Sequence, residues 1–350
     1  MAATDPGRTS VLWFGKQDVV EAGGRAATVC ALTLGWRASG MKGNREEVGM
    51  FEPVAPGVGR LGVLFVNVFA LGEPGRPWLL VDAGLAGSAG LIRRAVAGRF
   101  GEGARPEGIL LTHGHFDHVG AARVLAEGWD VPIFAHPLEA PYLTGRSDYP
   151  PRDPTMGGAM AQMSRLMPDH GYDFGDRVRE LPADGGLPGL SGWRWLHTPG
   201  HTPGHVSLYR GADGVLLAAD AFATMNLDSW SAYLTREREL SRPSPPFTSD
   251  WGNAQESIEK LAELEPGVVV AGHGLAMTGE NVAYRLREFT ASFTPPRRGR
   301  YVASPPVAAE DGVEELPLPV PDPYAVGAGS LAGAFVVWLI LVALARRRRR

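Results

Sequence analysis

The chain has 350 residues, of which 44% are hydrophobic, so it is long enough to bury the core of one large domain or two ordinary ones. Its formal net charge is −4, and without the five terminal arginines the other 345 residues carry 29 basic and 38 acidic side chains, a balance that argues against a nucleic-acid partner. The single cysteine, Cys30, excludes an intramolecular disulfide and a cysteine metal cluster.

Residues 1–24 form an N-terminal extension without the pattern of a secretory signal. Residues 25–294 alternate short apolar runs with helical patterns, which is typical of a layered α/β domain. In the first half, strands are predicted at 60–71, 77–84, 108–111 and 131–135, and helices at 88–99 and 117–128. In the second half, strands are predicted at 192–197, 205–210, 214–220 and 267–272, and helices at 249–264 and 280–293.

Three different segments follow this domain. Residues 295–324 are rich in proline and acid and predict an extended linker. Residues 325–345 carry no charge over 21 positions, which is about 30 Å as a helix, and predict a transmembrane helix. Residues 346–350 are a basic tail of five arginines.

The C-terminal segments predict a single-pass membrane protein. A folded domain is hard to export without a signal sequence, which favours a cytoplasmic location for residues 25–294. The five arginines after the helix favour the opposite orientation. We expect a cytoplasmic domain attached to the membrane through residues 325–345, and no pattern in the sequence indicates an oligomeric state.

Four predicted strands each end shortly before residues of the types that bind metal ions. If strands of one or two packed sheets present such residues at one end, the residues gather at a single rim, so they are expected to converge on one site. They are His113, His115, Asp117 and His118 after GILL, His201 after GWRWL, Asp220 after VLLAA, and His273 after VVVAG.

Imidazole and carboxylate groups in this density indicate zinc or a related divalent ion. In HGHFDH, residues 113 and 115 point the same way if extended, whereas 117 and 118 begin the next helix and are able to face a second ion. This loop therefore predicts a site for two metal ions. Two ions about 3.5–4 Å apart are able to hold a bridging hydroxide and to polarise the bond that it attacks.

These motifs resemble those of the metallo-β-lactamase superfamily. The resemblance covers residues 25–293 and rests on THGHFDH, on TPGHTPGH at 198–205, on Asp220 after an apolar strand and on GHG at 272–274. It implies an αβ/βα sandwich, in which two sheets lie between outer layers of helices. The expected fold is this four-layer α/β sandwich with one C-terminal transmembrane helix.

The resemblance also implies a set of metal ligands. By motif position, His113, His115 and His201 bind one ion, Asp117, His118 and His273 bind the other, and Asp220 bridges them. Asp117 and Asp220 are the candidate catalytic residues. The expected cofactors are two zinc ions, with iron and manganese as alternatives. One departure from the family pattern is Ala219, because family members usually have glycine before the bridging aspartate.

Residues around the motifs have their own interpretations. We expect His205 to hydrogen-bond near the site rather than to bind metal, and Asp82, which ends another strand, to support a ligand loop. His136, His170 and His197 are expected to be structural or surface residues.

Residues 137–190 contain four methionines at helical spacing, namely Met156, Met160, Met163 and Met167. Packing is the favoured interpretation. The alternative is a methionine-lined lid over an apolar substrate, because methionine adapts to irregular shapes.

The implied function is hydrolysis of an ester, thioester, lactone or amide in a small-molecule substrate by metal-bound hydroxide. The motifs are similar to those of glyoxalase II-type thioesterases and of lactonases, although Gly274 stands where lactonases commonly have aspartate. One alternative is an iron-dependent oxygenase of the persulfide-dioxygenase type, since histidine and carboxylate also bind iron. The other is a non-catalytic, membrane-attached binding module.

Overall fold

The computed structural model describes residues 49–322, and within this range a first sheet has seven strands. In order across the sheet these are β1 (Glu52–Ala55), β2 (Val58–Val63), β3 (Val66–Leu71), β4 (Leu79–Val81), β5 (Gly108–Leu110), β6 (Ile133–Ala135) and β7 (Val178–Glu180). Neighbouring strands are antiparallel from β1 to β4 and parallel from β4 to β7.

A second sheet of the described residues has six strands. They are β8 (Gly186–Leu187), β9 (Leu190–His197), β10 (Val206–Arg210), β11 (Val215–Ala219), β12 (Val268–Ala271) and β13 (Met277–Thr278), and the sheet runs from β13 to β8 in reverse sequence order. Only β11 and β12 pair in parallel among these strands. A separate hairpin pairs β14 (Val307–Ala309) with β15 (Gly312–Glu315).

The helices connect the strands and cover the sheets. They are α1 (Ala89–Phe100), α2 (Phe116–Val119), α3 (Ala122–Trp129), α4 (Ala140–Leu143), α5 (Gly158–Ser164), α6 (Trp230–Thr235), α7 (Trp251–Ala262) and α8 (Val282–Ser292). Short 3-10 turns lie at Pro137–Glu139, Pro154–Met156, Gly175–Arg177 and Pro245–Phe247.

Strand β11 shows how the sequence produces the layers. Its five residues are all buried, and successive side chains of a strand point to opposite faces. Leu216 and Ala218 pack with Ile258 of α7 and Leu286 of α8, in a core between the second sheet and its helices. Leu217 packs with residues of the first sheet, in the core between the two sheets. The strand is apolar throughout because both of its faces are covered.

The first sheet is covered in the same way, with α1 and α3 packed on its outer face. The predicted four-layer αβ/βα sandwich is therefore confirmed.

Two of the predicted elements are each divided into two shorter elements in the structure. The strand predicted at 60–71 is the hairpin of β2 and β3, which turns at Leu64 with φ of 58°. The helix predicted at 117–128 breaks at Gly120, whose N–H donates to the carbonyl of Gly84 at 2.8 Å.

The prediction of a transmembrane helix requires a correction. The longest helices of the described residues, α1 and α7, have 12 residues, or about 18 Å, whereas a bilayer core is about 30 Å thick. Among residues 49–322, no helix is long and apolar enough to cross a membrane. The predicted span, residues 325–345, lies outside the described residues, so the structure gives no support for a spanning helix or a single-pass membrane location.

The described part of the predicted linker, residues 295–322, contacts the sandwich. The Tyr301 hydroxyl donates to Pro151 O at 2.6 Å, and Val313 N donates to Ser147 Oγ at 3.2 Å. Arg165 forms an ion pair with Asp322. The domain boundaries stay predictions, and residues 25–48 of the predicted domain lie outside the described range.

Candidate metal centre

The seven predicted ligands converge at one edge of the sandwich, where four strands end. β5 leads into the HGHFDH loop, β9 leads into the loop that carries His201, and β11 and β12 lead into Asp220 and His273. The ligand-type atoms form three groups, each within 4.8 Å. These groups are His113, His115 and His201; His113, His118 and Asp220; and Asp117, His118 and His273. The first and third match the two trios that the sequence predicted.

Asp220 lies between the two trios. Its Oδ2 is 3.5 Å from Nε2 of His201 in the first trio and 3.2 Å from Nε2 of His273 in the second. Its Oδ1 is 3.6 Å from Nε2 of His118. The two carboxylate oxygens therefore face both trios, which is the position that a bridging ligand requires.

Three atoms at the centre of this cluster lack a hydrogen-bond partner among the described residues. They are Nε2 of His113, Nε2 of His118 and Oδ1 of Asp220, and all three are buried. A buried polar atom without a partner is costly, so such atoms are expected to meet a ligand. Imidazole nitrogens and a carboxylate oxygen suit zinc or iron, so these residues fit the ions that the motifs imply.

Hydrogen bonds behind the cluster fix the orientation of the first histidine. Asp82 is buried and accepts hydrogen bonds from the N–H and the hydroxyl of Thr112. Since the Thr112 hydroxyl donates to Asp82, it accepts from Nδ1 of His113 at 3.1 Å. This arrangement places the proton of His113 on Nδ1 and leaves the Nε2 lone pair facing the centre.

Other ligand candidates are held in the same manner. Nδ1 of His273 donates to Phe65 O at 2.8 Å, and Nδ1 of His201 lies 3.1 Å from the Thr248 hydroxyl. Nδ1 of His115 faces Nε2 of His201 at 2.9 Å, so each of these two histidines presents one ring nitrogen to the shared space. The rings of His273 and His201, which are held through Nδ1, are therefore oriented before an ion binds.

His205 holds the backbone of Asp220. Its Nε2 accepts the Asp220 N–H at 3.0 Å, and its Nδ1 lies 3.0 Å from Thr198 O, to which it donates. Both nitrogens are therefore occupied, which leaves His205 as a support for Asp220 and not a ligand. Burial lowers the pKa of His205 to about 4, so the ring stays neutral at pH 7 and Nε2 keeps the lone pair that accepts this hydrogen bond.

Electrostatics divides the histidines of the cluster into two kinds. Burial, together with the charge on His118, lowers the pKa of His113 and brings the pKa of His115 to about 3. Burial also lowers the pKa of His118, but Asp220, Asp82 and Asp117 outweigh it and hold the value well above normal. His113 and His115 therefore present lone pairs, while the three carboxylates favour positive charge around His118.

Asp220 is ionised despite its burial. Desolvation raises the pKa of its carboxyl, but the nearby His273 and His118 outweigh this effect and hold the pKa well below its usual value. In contrast, burial is the dominant cause at Asp117 and raises the pKa of its carboxyl. The two candidate catalytic carboxylates therefore differ in proton affinity.

Glu139 supports the site but was missed by the sequence interpretation. It is fully buried and accepts hydrogen bonds from Gly114 N in the HGHFDH loop and from Thr202 Oγ1 and Gly204 N in the His201 loop. The Tyr149 hydroxyl also donates to it. Its carboxylate thus ties two ligand loops together. The available signal was an acidic residue inside the mainly apolar stretch IFAHPLEAPYL.

Asn67 is a second support that was missed. Its Nδ2 donates to Ala271 O at 2.9 Å and to Gly274 O at 2.8 Å, on the two sides of His273. Its Oδ1 accepts from Arg60 at 2.7 Å. The available signal was one amide inside the apolar run VLFVNVFAL.

Gly272 is required by the close packing of the site. A Cβ at this position would lie 2.0 Å from Asp220 Oδ1 and 2.8 Å from Cε1 of His118. Any side chain here would therefore displace Asp220 and His118, which is a member of the second trio.

The remaining histidines and the methionine stripe have separate positions. His136 stacks on His197 with 4.2 Å between ring centroids, and His170 is exposed. Met160 packs with Met225 and Leu227, so its packing role is confirmed. Met160 and Met167 also line the cavity over the metal-facing atoms, so the stripe contributes to the wall of the site as well.

Comparison with known proteins agrees with this geometry. The family model of the metallo-β-lactamase superfamily matches residues 61–273. This chain belongs to that superfamily. It is 46% identical over 237 residues to the probable metallo-hydrolase YflN of Bacillus subtilis, covering 67% of this chain and 90% of YflN. The family and this relative support a hydrolase in general, with groups able to bind divalent ions.

Two solved structures are also similar to the chain. A β-lactamase domain protein from Burkholderia ambifaria is 25% identical, with a TM-score of 0.48, over 73% of this chain and 78% of that one. The di-iron-bound form of TTHA1623 is 28% identical, with a TM-score of 0.42, over 63% of this chain and 92% of that one.

Proposed function

We propose that this superfamily member is a hydrolase that uses two divalent ions, expected to be zinc, to cleave an ester, thioester, lactone or amide of a small molecule. One observation carries the proposal. The unpartnered atoms of His113, His118 and Asp220 are buried together at the junction of the two ligand trios. This donor set suits a pair of cations better than any structural role, since each unpaired buried group costs about 1–3 kcal/mol.

In this proposal His113, His115 and His201 would hold one ion and Asp117, His118 and His273 the other, with Asp220 between the two trios. Such ions, when bound, supply a nucleophilic hydroxide at neutral pH and a Lewis acid for the carbonyl oxygen of the substrate. The ligand side chains would fix the positions of the ions and offset their positive charge. Asp220 stays ionised between the trios because His273 and His118 hold its pKa low.

Asp117 is proposed to handle the proton of the reaction. Its Oδ2 lies 3.6 Å from Nε2 of His273, so the carboxylate is at the edge of the second trio. A carboxylate in this position is able to accept a proton from the attacking water and to return it to the leaving group. We therefore propose that Asp220 supplies negative charge between the two ions and helps to position them. Asp117 helps to position one ion and transfers the proton.

The proposal is tested by metal removal and reloading. The protein is stripped with a chelator, reloaded separately with zinc, manganese or ferrous iron, and assayed on ester, thioester, lactone and β-lactam substrates together with oxygen uptake. We expect two ions per chain, loss of hydrolysis on stripping and recovery with zinc. Oxygen uptake by the iron form without hydrolysis would instead support the oxygenase.

A matched pair of variants separates the site from general charge effects. Asp220→Asn keeps the shape of the side chain but removes its charge, and is expected to lower kcat/KM at least about 100-fold because the position between the trios loses a carboxylate. Asp213→Asn changes a carboxylate that is paired with Arg210 outside the site, and is expected to leave hydrolysis unchanged. Equal activities for the two variants would contradict the proposal.

A further inference from the structure

The cavity over the metal-facing atoms has an apolar wall. Besides candidate ligands, the described residues that line it are Phe65, Phe116, Met160, Met167, Phe247 and Ser244. Five of these six are apolar. The free volume is only about 10 Å³, which is room for about one water molecule. An incoming acyl group must therefore displace side chains, and unbranched methionines are able to move at little cost.

The aromatic rings of this wall lie against the ligands themselves. The ring centroids of Phe247 and His115 are 5.4 Å apart, and those of Phe65 and His273 are 6.1 Å apart with the rings stacked. Phe116 lies 6.2 Å from Phe247. A group attached to a carbonyl at the metal centre would thus contact apolar surface directly, with no polar layer between.

Arginines on the chain segments that carry the methionines and Phe247 form ion pairs. No lysine or arginine is among the described residues that line the cavity. On the segments that carry the methionines and Phe247, Arg152 pairs with Asp169 at 2.8 Å and Arg242 with Asp228 at 2.6 Å. Arg165 pairs with Asp322. An anionic group on the acyl chain would therefore lose its hydration without gaining a cationic partner.

Among the described residues that line the cavity, Ser244 is the polar residue that is not a candidate metal ligand. It is 3% exposed, and its hydroxyl has no hydrogen-bond partner among the described residues. Its carbonyl accepts from Thr248 Oγ1 at 2.8 Å, and that hydroxyl meets Nδ1 of His201. The backbone of Ser244 is thus tied to the ligand network, while its side chain has an unused donor beside the cavity.

From these contacts we infer that the substrate is an uncharged carbonyl compound with an apolar acyl group, and that the Ser244 hydroxyl hydrogen-bonds to it. This inference rests on the proposed hydrolase function and narrows its substrate class. The wall of three phenylalanines and two methionines binds the acyl group by exclusion of water. Ser244 gains in the complex the partner that it lacks in the free protein, which makes it a specificity residue.

The first test compares two acyl chains of equal length on the zinc-loaded protein. p-Nitrophenyl octanoate has a neutral chain, and mono-p-nitrophenyl suberate has the same chain with a terminal carboxylate. We expect kcat/KM for the octanoate to exceed that for the suberate at least about 100-fold. Equal values, or a preference for the suberate, would overturn the inference while leaving the hydrolase function intact. Failure to cleave either ester, or any other carbonyl substrate, with both metals bound would reject the function itself.

A binding measurement gives a readout that does not depend on turnover. Octanamide and the anion of suberamic acid differ in the same terminal group, and as amides they are expected to be cleaved much more slowly than the p-nitrophenyl esters. Octanamide is expected to raise the melting temperature of the zinc-loaded protein, and suberamate to raise it less. The opposite order would contradict an apolar acyl site.

Ser244→Ala separates a specificity role from a structural one. Because the hydroxyl has no protein partner, its removal is expected to leave the melting temperature unchanged or higher, while kcat/KM for the octanoate ester falls about 10-fold. Ser257→Ala is the matched control for stability, since that hydroxyl donates to Pro199 O at 2.7 Å and its loss is expected to lower the melting temperature. Unchanged kcat/KM in Ser244→Ala would remove Ser244 from the inference.

Met167→Lys is expected to weaken the preference of the wall for a neutral acyl chain. Met167 is half-buried, so a lysine here is able to keep its ammonium group near solvent while its stem covers the same surface. The octanoate-to-suberate ratio of kcat/KM is expected to fall at least about 10-fold, with the suberate ester gaining. An unchanged ratio would show that the wall does not meet the acyl chain.

Discussion

Nδ1 of His118 lies 2.8 Å from Oδ2 of Asp82, and both side chains are fully buried. This contact fixes the ring so that Nε2 faces Asp220. The same carboxylate accepts hydrogen bonds from Thr112, which in turn orients His113. Asp82 is not a predicted metal ligand, but it aligns one histidine of each trio.

Asp82→Asn should weaken metal binding without removing a ligand. An amide retains the shape of the carboxylate but loses the charge that holds the Nδ1 proton of His118, and loss of such a support typically costs 10–100-fold in metal affinity. Competition between the protein and a chromogenic zinc chelator measures the change. Asp213→Asn is the control, because Asp213 pairs with Arg210 outside the site. Equal zinc affinity in the two variants would contradict this role of Asp82.

Glu139→Gln should destabilise the fold and lower activity together. The carboxylate accepts hydrogen bonds from both ligand loops, and the amide nitrogen of glutamine cannot accept from Gly114, Thr202 or Gly204. At least one buried donor then lacks a partner, so the free energy of unfolding should fall by about 1–3 kcal/mol. Urea unfolding measures this loss.

The control for Glu139 is Glu127→Gln on the surface of α3. Glu127 forms a 3.8 Å ion pair with Arg123, and both side chains are about half exposed, so its removal should change stability by less than about 0.5 kcal/mol. If Glu139→Gln unfolds at the same urea concentration as this control, the carboxylate does not hold the two loops together.

His136 should make stability depend on pH in the acid range. Burial and the neighbouring His197 lower the pKa of His136 to about 4, against about 6.5 in the unfolded chain. Between these values the unfolded state binds the proton and the folded state does not, so stability falls as pH decreases from 6.5 to 4. Above pH 7 His136 is neutral in both the folded and the unfolded state, so it does not affect stability there.

His136→Asn isolates that effect. His136 Nδ1 accepts from Leu138 N at 3.2 Å at the start of a 3-10 turn, and asparagine is able to make the same cap. The variant should lose less stability between pH 7 and pH 5 than the natural protein, by on the order of 1 kcal/mol since the ring is partly exposed. Histidines of the metal centre titrate in both proteins and cancel in this difference. If the stabilities of the variant and the natural protein change equally with pH, this effect of His136 is excluded.

Ala219 has a backbone conformation that favours glycine. Its φ is 48°, and it is fully buried immediately before Asp220. Ala219→Gly should relieve about 1–2 kcal/mol of backbone strain but lose a buried methyl group and add freedom to the unfolded chain, so its stability should stay within about 1 kcal/mol of the natural protein. Ala219→Val should cost at least about 2 kcal/mol, because a branched side chain is poorly tolerated at positive φ in a packed core. Thermal unfolding of both variants tests this, and a stable valine variant would contradict it.

Several local features were predictable because local geometry encodes them. The continuous apolar runs of β11 and β12 follow from strands that are covered on both faces. The break at Gly120 was not predictable, because it depends on a hydrogen bond to Gly84, a residue on a separate loop. The turn at Leu64 was missed because leucine rarely adopts positive φ and gives no turn signal.

By itself, the sequence determined the alternation of strands and helices in a layered α/β domain and the places of seven ligand-type residues after strands, since side-chain periodicity and residue chemistry are local properties. The four-layer sandwich was implied by the resemblance of the motifs to the metallo-β-lactamase superfamily. Only the tertiary structure decided that Glu139 joins two ligand loops, that Asn67 holds the loop of His273 and that the Ser244 hydroxyl lacks a partner. These facts depend on atoms of segments that lie far apart in the chain, up to 207 residues for Asn67 and Gly274. Such contacts form only when the whole domain packs, so no local pattern records them.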